Sequence, residues 1–228
     1  MKLPYDKIYC IHLVEAGYRH ESVLEECIKI NLENEINFWY TSKKPINKTI
    51  GDGMCSLHDD YYNKYRKVNE YTYGACFDCA YNHYSIIKQA YIRGLNSILI
   101  IEDDIFFHDD NDLLNDVIDN IPEDFEILKF YNQRYQKDNE HIKDYFISMD
   151  INNYQYYYHS TLCYALSRNG MKALIDEYES NFAVADIALN NIRLNKDIKF
   201  YTLKSNLICS PKRFVSTIIG RRLKKKKK

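Results

Sequence analysis

The chain has 228 residues, of which 46% are hydrophobic and 28% are charged, and its formal net charge is -1. A chain of this length can bury one substantial core, and its composition excludes fibrous, collagen-like and disordered proteins. Because no overall basic field surrounds the body of the protein, nucleic acid is not a predicted partner.

The first half of the chain predicts two strands and two helices. Short apolar runs bounded by polar residues predict strands at residues 7–13 and 36–41, and apolar residues at helical spacing predict a helix between them. Residues 42–72 contain many tyrosines but no clean period, which indicates a long loop or an irregular subdomain. A second helix is predicted to begin after Asp78, a residue type that caps helices, and to end before Gly94.

The second half continues the alternation of strands and helices. Residues 97–101 form an unbroken aliphatic run, which is typical of a strand covered on both faces in a parallel sheet. The later predictions are a helix at 113–118, a strand at 126–131, a loop at 132–153, a strand at 156–167, helices at 171–178 and 184–194, and a strand at 197–203. This alternation predicts an α/β fold with a mostly parallel central sheet flanked by helices.

The chain is predicted to form a single domain over residues 1–220, followed by a basic tail at residues 221–228. The tail should be disordered, because its like charges repel and almost no apolar sequence accompanies them. It either contacts a polyanion such as a membrane surface or stays solvated without a partner. No N-terminal apolar run reaches the length of a signal peptide or a membrane span, so we expect a cytoplasmic protein. Contact of the tail with a membrane surface would place this protein at the periphery of that membrane.

The seven cysteines are an odd number scattered through predicted core segments. Cys76 and Cys79 form one C-x-x-C pair, which no second pair and no spaced histidines follow. The pair fits a redox or metal site, or two thiols that a reducing compartment keeps free.

The segment SILIIEDDIFF places three carboxylates, Glu102, Asp103 and Asp104, directly after the aliphatic strand. Ligands of an open parallel sheet bind beyond the carboxyl ends of its strands, so these residues are candidates for a binding site. Neighbouring residues of an extended chain face opposite ways, which would place Glu102 and Asp104 on one side. Oxygen ligands suit Mg²⁺ or Mn²⁺. Alternatively, one aspartate only caps the turn while its neighbours lie in solvent.

Four segments together resemble glycosyltransferase family 25, which includes lipopolysaccharide and collagen galactosyltransferases. They are IYCIHLVEAGYRHESV, CAYNHYSIIKQAYIRGLNSILIIEDD, CYALSRNGMKAL and AVADIAL. The resemblance covers most of the chain from Lys7 to about Thr217 and implies a GT-A-like fold. It also implies transfer of a sugar, galactose above all, from a UDP-sugar donor to a hydroxyl of a glycan or glycoprotein acceptor, with inversion.

The resemblance also implies roles for individual residues. Glu102 and Asp104 would hold a Mn²⁺ or Mg²⁺ ion that neutralises the leaving diphosphate. Asp186 would act as the catalytic base that takes the proton of the acceptor hydroxyl. The residues at the donor-binding positions are Arg19, His83 and Asp103.

Simpler explanations stay open at this point. Asp186 could cap its helix, His83 could be a hydrogen-bonded packing residue, and Arg19 could lie on a surface turn. At the level of function, the alternatives are a catalytically silent module that binds a sugar nucleotide and a metal-dependent phosphodiesterase. The phosphodiesterase would need further histidine or carboxylate ligands for a second metal, and the sequence has no obvious HxD or DxH cluster.

Overall fold

The computed structural model describes residues 3–41, 54–55, 60–131, 145–148, 160–194, 197–204 and 206–212, with the backbone alone described for residues 54–55 and 60–75. The predicted domain end at residue 220, the basic tail and most of the predicted loop at 132–153 lie outside these residues. Within the described part of the chain, no helix combines the length and the apolar character needed to cross a membrane.

Strands and helices alternate along most of the chain. The strands are β1 (Lys7–Leu13), β2 (Ile36–Thr41), β3 (Met54–Cys55), β4 (Ser97–Glu102), β5 (Ile105–Phe107), β6 (Ile127–Lys129), β7 (Phe146–Ser148), β8 (Cys163–Ser167), β9 (Phe200–Leu203) and β10 (Cys209–Pro211). The helices are α1 (Gly17–Lys29), α2 (Asp60–Ile92), α3 (Asn111–Asp119), α4 (Arg168–Ser180) and α5 (Ala185–Arg193), and a short 3-10 helix (Val14–Ala16) precedes α1.

Among the described residues, eight strands form the central sheet in the order β3-β2-β1-β4-β8-β6-β9-β7. The pairs from β3 to β4 are parallel, as is β6 with β9, whereas β8 runs antiparallel to both of its neighbours and β7 runs antiparallel to β9. Strands β5 and β10 form a separate antiparallel pair. The predicted α/β fold with a mostly parallel sheet is therefore confirmed.

Strand β4 shows why a continuous apolar run is needed at the centre of this sheet. Ile98 and Ile100 pack into the cluster formed with α2, α4 and α5, whereas Leu99 and Ile101 pack into the cluster formed with α1 and α3. Since successive side chains of a strand face opposite sides, a strand covered by helices on both faces must be apolar at every position. The predicted strands at residues 7–13 and 36–41 match β1 and β2.

The long helix α2 differs most from its prediction. It begins at Asp60 rather than after Asp78, so residues 60–72 are helical and the loop prediction is wrong for them, while residues 42–53 lie outside the described residues. Apolar periodicity marks a helix only where one face packs on a core. That packing is seen from Phe77 onward, and Gly94, with φ of +80°, follows the helix as predicted.

Several short strands also escaped prediction. Strand β7 lies inside the predicted loop at 132–153, and β5 and β10 were not predicted. Each of them has three residues, too few for an alternating pattern to stand out from its surroundings. Among the described residues, the strands predicted at 126–131, 156–167 and 197–203 are shorter than expected, and the helices predicted around 113–118, 171–178 and 184–194 are present.

Candidate active site

The carboxyl ends of β1 and β4 lie side by side where the order of the sheet reverses, and the region beyond them is where an open α/β sheet has its crevice. From β1 the chain passes through α1 to β2 on one side, whereas β4 pairs with β1 on the other side. Such a point is where open α/β sheets bind their ligands. Because β4 ends at Glu102, opposite Ile11 of β1, the acidic triplet lies at this crevice.

Asp103 is buried and neutralised by three groups from the neighbouring elements. Arg19 Nη1 of α1 donates to its Oδ1 at 2.9 Å, and the backbone N–H of Leu13 donates to its Oδ2 at 3.1 Å. The imidazole Nδ1 of His12 lies 2.9 Å from the same Oδ2. Burial alone would raise the pKa of Asp103, but the hydrogen bonds with His12 and Arg19 lower it below its ordinary value. Asp103 thus ties β1, α1 and β4 together as an anion.

Glu102 faces a different set of partners. Its Oε1 accepts a hydrogen bond from the Thr161 hydroxyl and lies 3.6 Å from Nε2 of His83 in α2. Burial would raise the pKa of Glu102, yet the neighbouring His83 and the Thr161 hydroxyl lower it. Glu102 and Asp103 therefore act on opposite sides of the chain, as the strand geometry predicts.

Asp104 is the least compensated of the three acids. Its Oδ1 is buried without a hydrogen-bond partner in the described part of the chain, and its Oδ2 lies 3.8 Å from Arg19 Nη1. Burial and the negative charge of Glu102 raise the pKa of Asp104 to about 7. A divalent cation would relieve this repulsion, and carboxylate oxygens are ligands that hard cations prefer. Glu102 and Asp104 therefore fit a bound cation.

Asp186 lies in the first turn of α5 but does not cap the helix. The N-cap position is Val184, whose side chain makes no capping hydrogen bond. The charge of Asp186 influences two side chains that also respond to Glu102. Burial raises the pKa of the Cys79 thiol well above its usual value, with Glu102 and then Asp186 adding to the effect. Both carboxylates also favour the charged form of Lys129. Asp186 is thus within electrostatic reach of the crevice.

Lys129 is a cation at the end of β6 with only 1% of its surface exposed. Burial lowers its pKa to about 7, although the carboxylates of Asp186 and Glu102 oppose the shift. A buried amine whose charge state is this finely balanced is a common feature of functional sites. We therefore count Lys129 among the candidate site residues.

The family assignment follows from the sequence match. Residues 5–188 match the family model described as Glycosyltransferase family 25 (LPS biosynthesis protein). This chain belongs to glycosyltransferase family 25. Its general activity is therefore glycosyl transfer, with a sugar donor and an acceptor as partners. The matched residues include all six predicted site residues, and the resemblance noted in the sequence is confirmed.

One solved structure similar to this family 25 chain is a glycosyltransferase involved in the glycosylation of the major capsid of PBCV-1. The two share 12% sequence identity with a TM-score of 0.38, over 77% of this chain and 67% of that chain. Among curated proteins, none matches this sequence.

The fold of the family 25 chain brings five of the six predicted site residues together at one end of the sheet, and Asp186 is linked to them only through its charge. Arg19 contacts Asp103 and approaches Asp104, while His83 approaches Glu102. Arg19 is 4% exposed and therefore does not lie on a surface turn. His83 is fully buried, and its Nδ1 pairs with the Tyr164 hydroxyl at 2.8 Å.

Three residues at this site were missed in the sequence. His12 and Lys129 each stand inside an apolar strand, in KIYCIHL and EILKFY, where a polar side chain at a strand end is itself an indication of a site. Thr161 has no such indication, because nothing local predicts that its hydroxyl meets Glu102.

Proposed function

We propose that this family 25 chain transfers a sugar, galactose above all, from a UDP-sugar to a hydroxyl of a glycan or glycoprotein, with inversion at the anomeric carbon. The observation that carries the proposal is the pair Glu102 and Asp104 at the switch point of the sheet. Their mutual repulsion, seen in the pKa of Asp104 raised to about 7 by burial and by Glu102, suits a site that receives positive charge. A cytoplasmic location is part of the same proposal.

The neutralised Asp103 fixes the position of the chain segment that carries Glu102 and Asp104. Arg19 and His12 hold the Asp103 carboxylate, which fixes the turn after β4 against β1 and α1. Glu102 ends β4 and Asp104 lies in that turn. The two carboxylates would hold the Mn²⁺ or Mg²⁺ ion. Such an ion supplies positive charge to the leaving diphosphate. The proposed role of Arg19, His83 and Asp103 at the donor site is to position Glu102 and Asp104.

Asp186 is the proposed general base. Its carboxylate would accept the proton of the acceptor hydroxyl as that oxygen forms a bond to the anomeric carbon and the bond to the diphosphate oxygen breaks. Inversion follows because the hydroxyl attacks from the side opposite the leaving group. Lys129, whose charged form Asp186 favours, would help to set the charge around this base.

The decisive experiment measures UDP release and glycoside formation from a panel of UDP-sugars, with and without Mn²⁺, in the presence of sugar acceptors. Glu102→Gln combined with Asp104→Asn should lower kcat at least about 100-fold. Asp119→Asn, which removes an exposed acid at the end of α3, should leave the rate unchanged.

Each competing function gives a different result. Donor binding without turnover would replace the transferase with a silent binding module. Cleavage of a phosphodiester without sugar transfer would replace it with a hydrolase. Full activity of the double variant would remove the acidic pair from the mechanism.

A further inference from the structure

Three side chains with metal-binding atoms converge beside the crevice. Cys79 and His83 are four residues apart on α2 and therefore share one face of that helix, and Glu102 ends β4 opposite them. The Cys79 sulfur, a His83 ring nitrogen and a Glu102 carboxylate oxygen all lie within 4.8 Å of one another. Cys79 is a free thiol, so its sulfur is available as a ligand.

The His83 ring is held as a metal-binding imidazole would be. Its Nδ1 pairs with the Tyr164 hydroxyl at 2.8 Å, which leaves Nε2 directed at Glu102. His83 is fully buried, and its Nε2 has no hydrogen-bond partner in the described residues. When Nδ1 donates its proton to the tyrosine oxygen, the Nε2 lone pair is free to bind a cation, as in most histidine metal ligands.

The spacing between ligand atoms fits an ion better than a hydrogen bond. His83 Nε2 and Glu102 Oε1 are 3.6 Å apart, which exceeds an ordinary hydrogen-bond length. Two ligands of one tetrahedral ion, each about 2.1 Å from it, are separated by about 3.4 Å. The pair is thus already near the separation that a shared ion requires.

We propose that Cys79, His83 and Glu102 bind one transition-metal ion of the Zn²⁺ or Co²⁺ class. Three protein ligands leave a fourth position open toward the crevice, as in metal sites that take part in reactions rather than in structural sites. Thiolate and imidazole ligands select such ions and discriminate against Mg²⁺, which requires oxygen ligands.

The inference rests on the proposed function only for the position of the ion. Glu102 is a ligand both in the pair with Asp104 and in the group with Cys79 and His83. It adds the Cys79 sulfur and the His83 nitrogen as ligands beside the carboxylate of Glu102. Asp104 then remains beside the ion as the residue that repels Glu102 when no ion is bound.

The test is a Co²⁺ titration of the purified full-length chain without any sugar nucleotide. Binding through Cys79 should give one equivalent of Co²⁺ with a thiolate-to-cobalt charge-transfer band in the near ultraviolet. Cys79→Ala should abolish the band and weaken binding by at least about 100-fold. Cys76→Ala, which removes the neighbouring thiol on the same helix, should leave both unchanged.

A second measurement guards against variants that do not fold. Zn²⁺ should raise the thermal midpoint of the unaltered protein in a concentration-dependent manner, because a ligand that binds only the folded state stabilises it, whereas equal concentrations of Mg²⁺ should not. A Co²⁺ complex without the charge-transfer band, a band that survives in Cys79→Ala, or equal stabilisation by Mg²⁺ and Zn²⁺ would each overturn the inference.

The two proposals fail separately. If Co²⁺ binds with the expected band but no UDP-sugar is turned over, the metal site stands and the proposed function falls. If Mn²⁺-dependent transfer persists unchanged in Cys79→Ala, the function stands and the mixed ligand set falls.

Discussion

Asp103 and Asp104 are neighbours in the chain, yet their surroundings drive their pKa values in opposite directions. Burial tends to raise both, but His12 and Arg19 lower the pKa of Asp103, whereas the charge of Glu102 helps to raise that of Asp104 to about 7. Asp103 is therefore held as an anion, whereas Asp104 is the less compensated carboxylate. Residue type alone gives both aspartates the same ordinary pKa.

Lys129 allows a residue-scale test of the buried charge. Burial lowers its pKa from 10.5 to about 7 in the folded protein. Between these values the unfolded chain binds more protons, so the free energy of unfolding rises with pH, by up to about 1.4 kcal/mol per pH unit. Lys129→Met removes this dependence. In urea unfolding experiments, the free energy of unfolding of the unaltered protein should therefore rise relative to that of the variant between about pH 7.5 and about pH 9.5.

Lys172→Met is the matched control for this prediction. Lys172 is exposed, and its hydrogen bond with Asp176 raises its pKa above the ordinary value, so it stays protonated over the same range in both states. The difference in free energy of unfolding between the unaltered protein and Lys172→Met should stay constant with pH. A parallel pH dependence for both variants would mean that Lys129 does not titrate as a buried amine.

At the scale of elements, α4 depends on a close approach to the chain before β6. The Ser167 side chain caps α4 by accepting from the Gly170 N–H, and a Cβ on Gly170 would lie 1.9 Å from the carbonyl oxygen of Glu126. The backbone of Glu126 cannot yield easily, because its carbonyl also accepts from the Ser167 N–H and its N–H donates to Lys199. Glycine is therefore required in the first turn of α4.

Gly170→Ala should lower the free energy of unfolding by about 2 kcal/mol, because either α4 or the Glu126 segment must shift. Gly17→Ala is the control, since a Cβ at Gly17 would meet no atom within 4 Å and its φ of -50° is helical. That variant should be neutral or slightly more stable. Equal urea midpoints for both variants would show that the close approach at Gly170 is easily relieved.

The helix α2 also shows what periodicity can and cannot predict. Its packed part was predicted because Ala80, Tyr84 and Ile87 recur on one buried face. The same periodicity does not predict the environment of His83. This residue is a buried polar side chain, and its hydrogen-bond partner, Tyr164, is on β8. Local pattern predicted the helix, and only the packing of α2 on the sheet defined the role of His83.

At the scale of the whole molecule, the charge distribution suggests a surface contact for the C-terminus. Deleting Lys224–Lys228, which lie outside the described residues, should reduce cosedimentation with phosphatidylserine vesicles at low salt, because each cation near an anionic surface adds about 1 kcal/mol. Vesicles of neutral phosphatidylcholine serve as the control and should bind neither form. Unchanged binding to the anionic vesicles would leave the tail without this partner.

Local patterns in the amino-acid chain are enough to predict β1, β2 and β4 and the acids at the end of β4. Residues 8–11 and 98–101 are apolar because a strand covered on both faces must be, and this requirement is visible in each segment by itself. The family resemblance in the same segments led to the correct general activity.

It takes the packing of the folded chain to distinguish the neutralised Asp103 from Asp104, whose Oδ1 has no hydrogen-bond partner among the described residues. His12 and Arg19 reach Asp103, and His83 reaches Glu102, across long separations in the chain. The pKa of a buried carboxylate depends on burial and on the charges within a few ångströms. Those neighbours come together only when β1, α1 and α2 pack around the end of β4, so no local pattern could have predicted them.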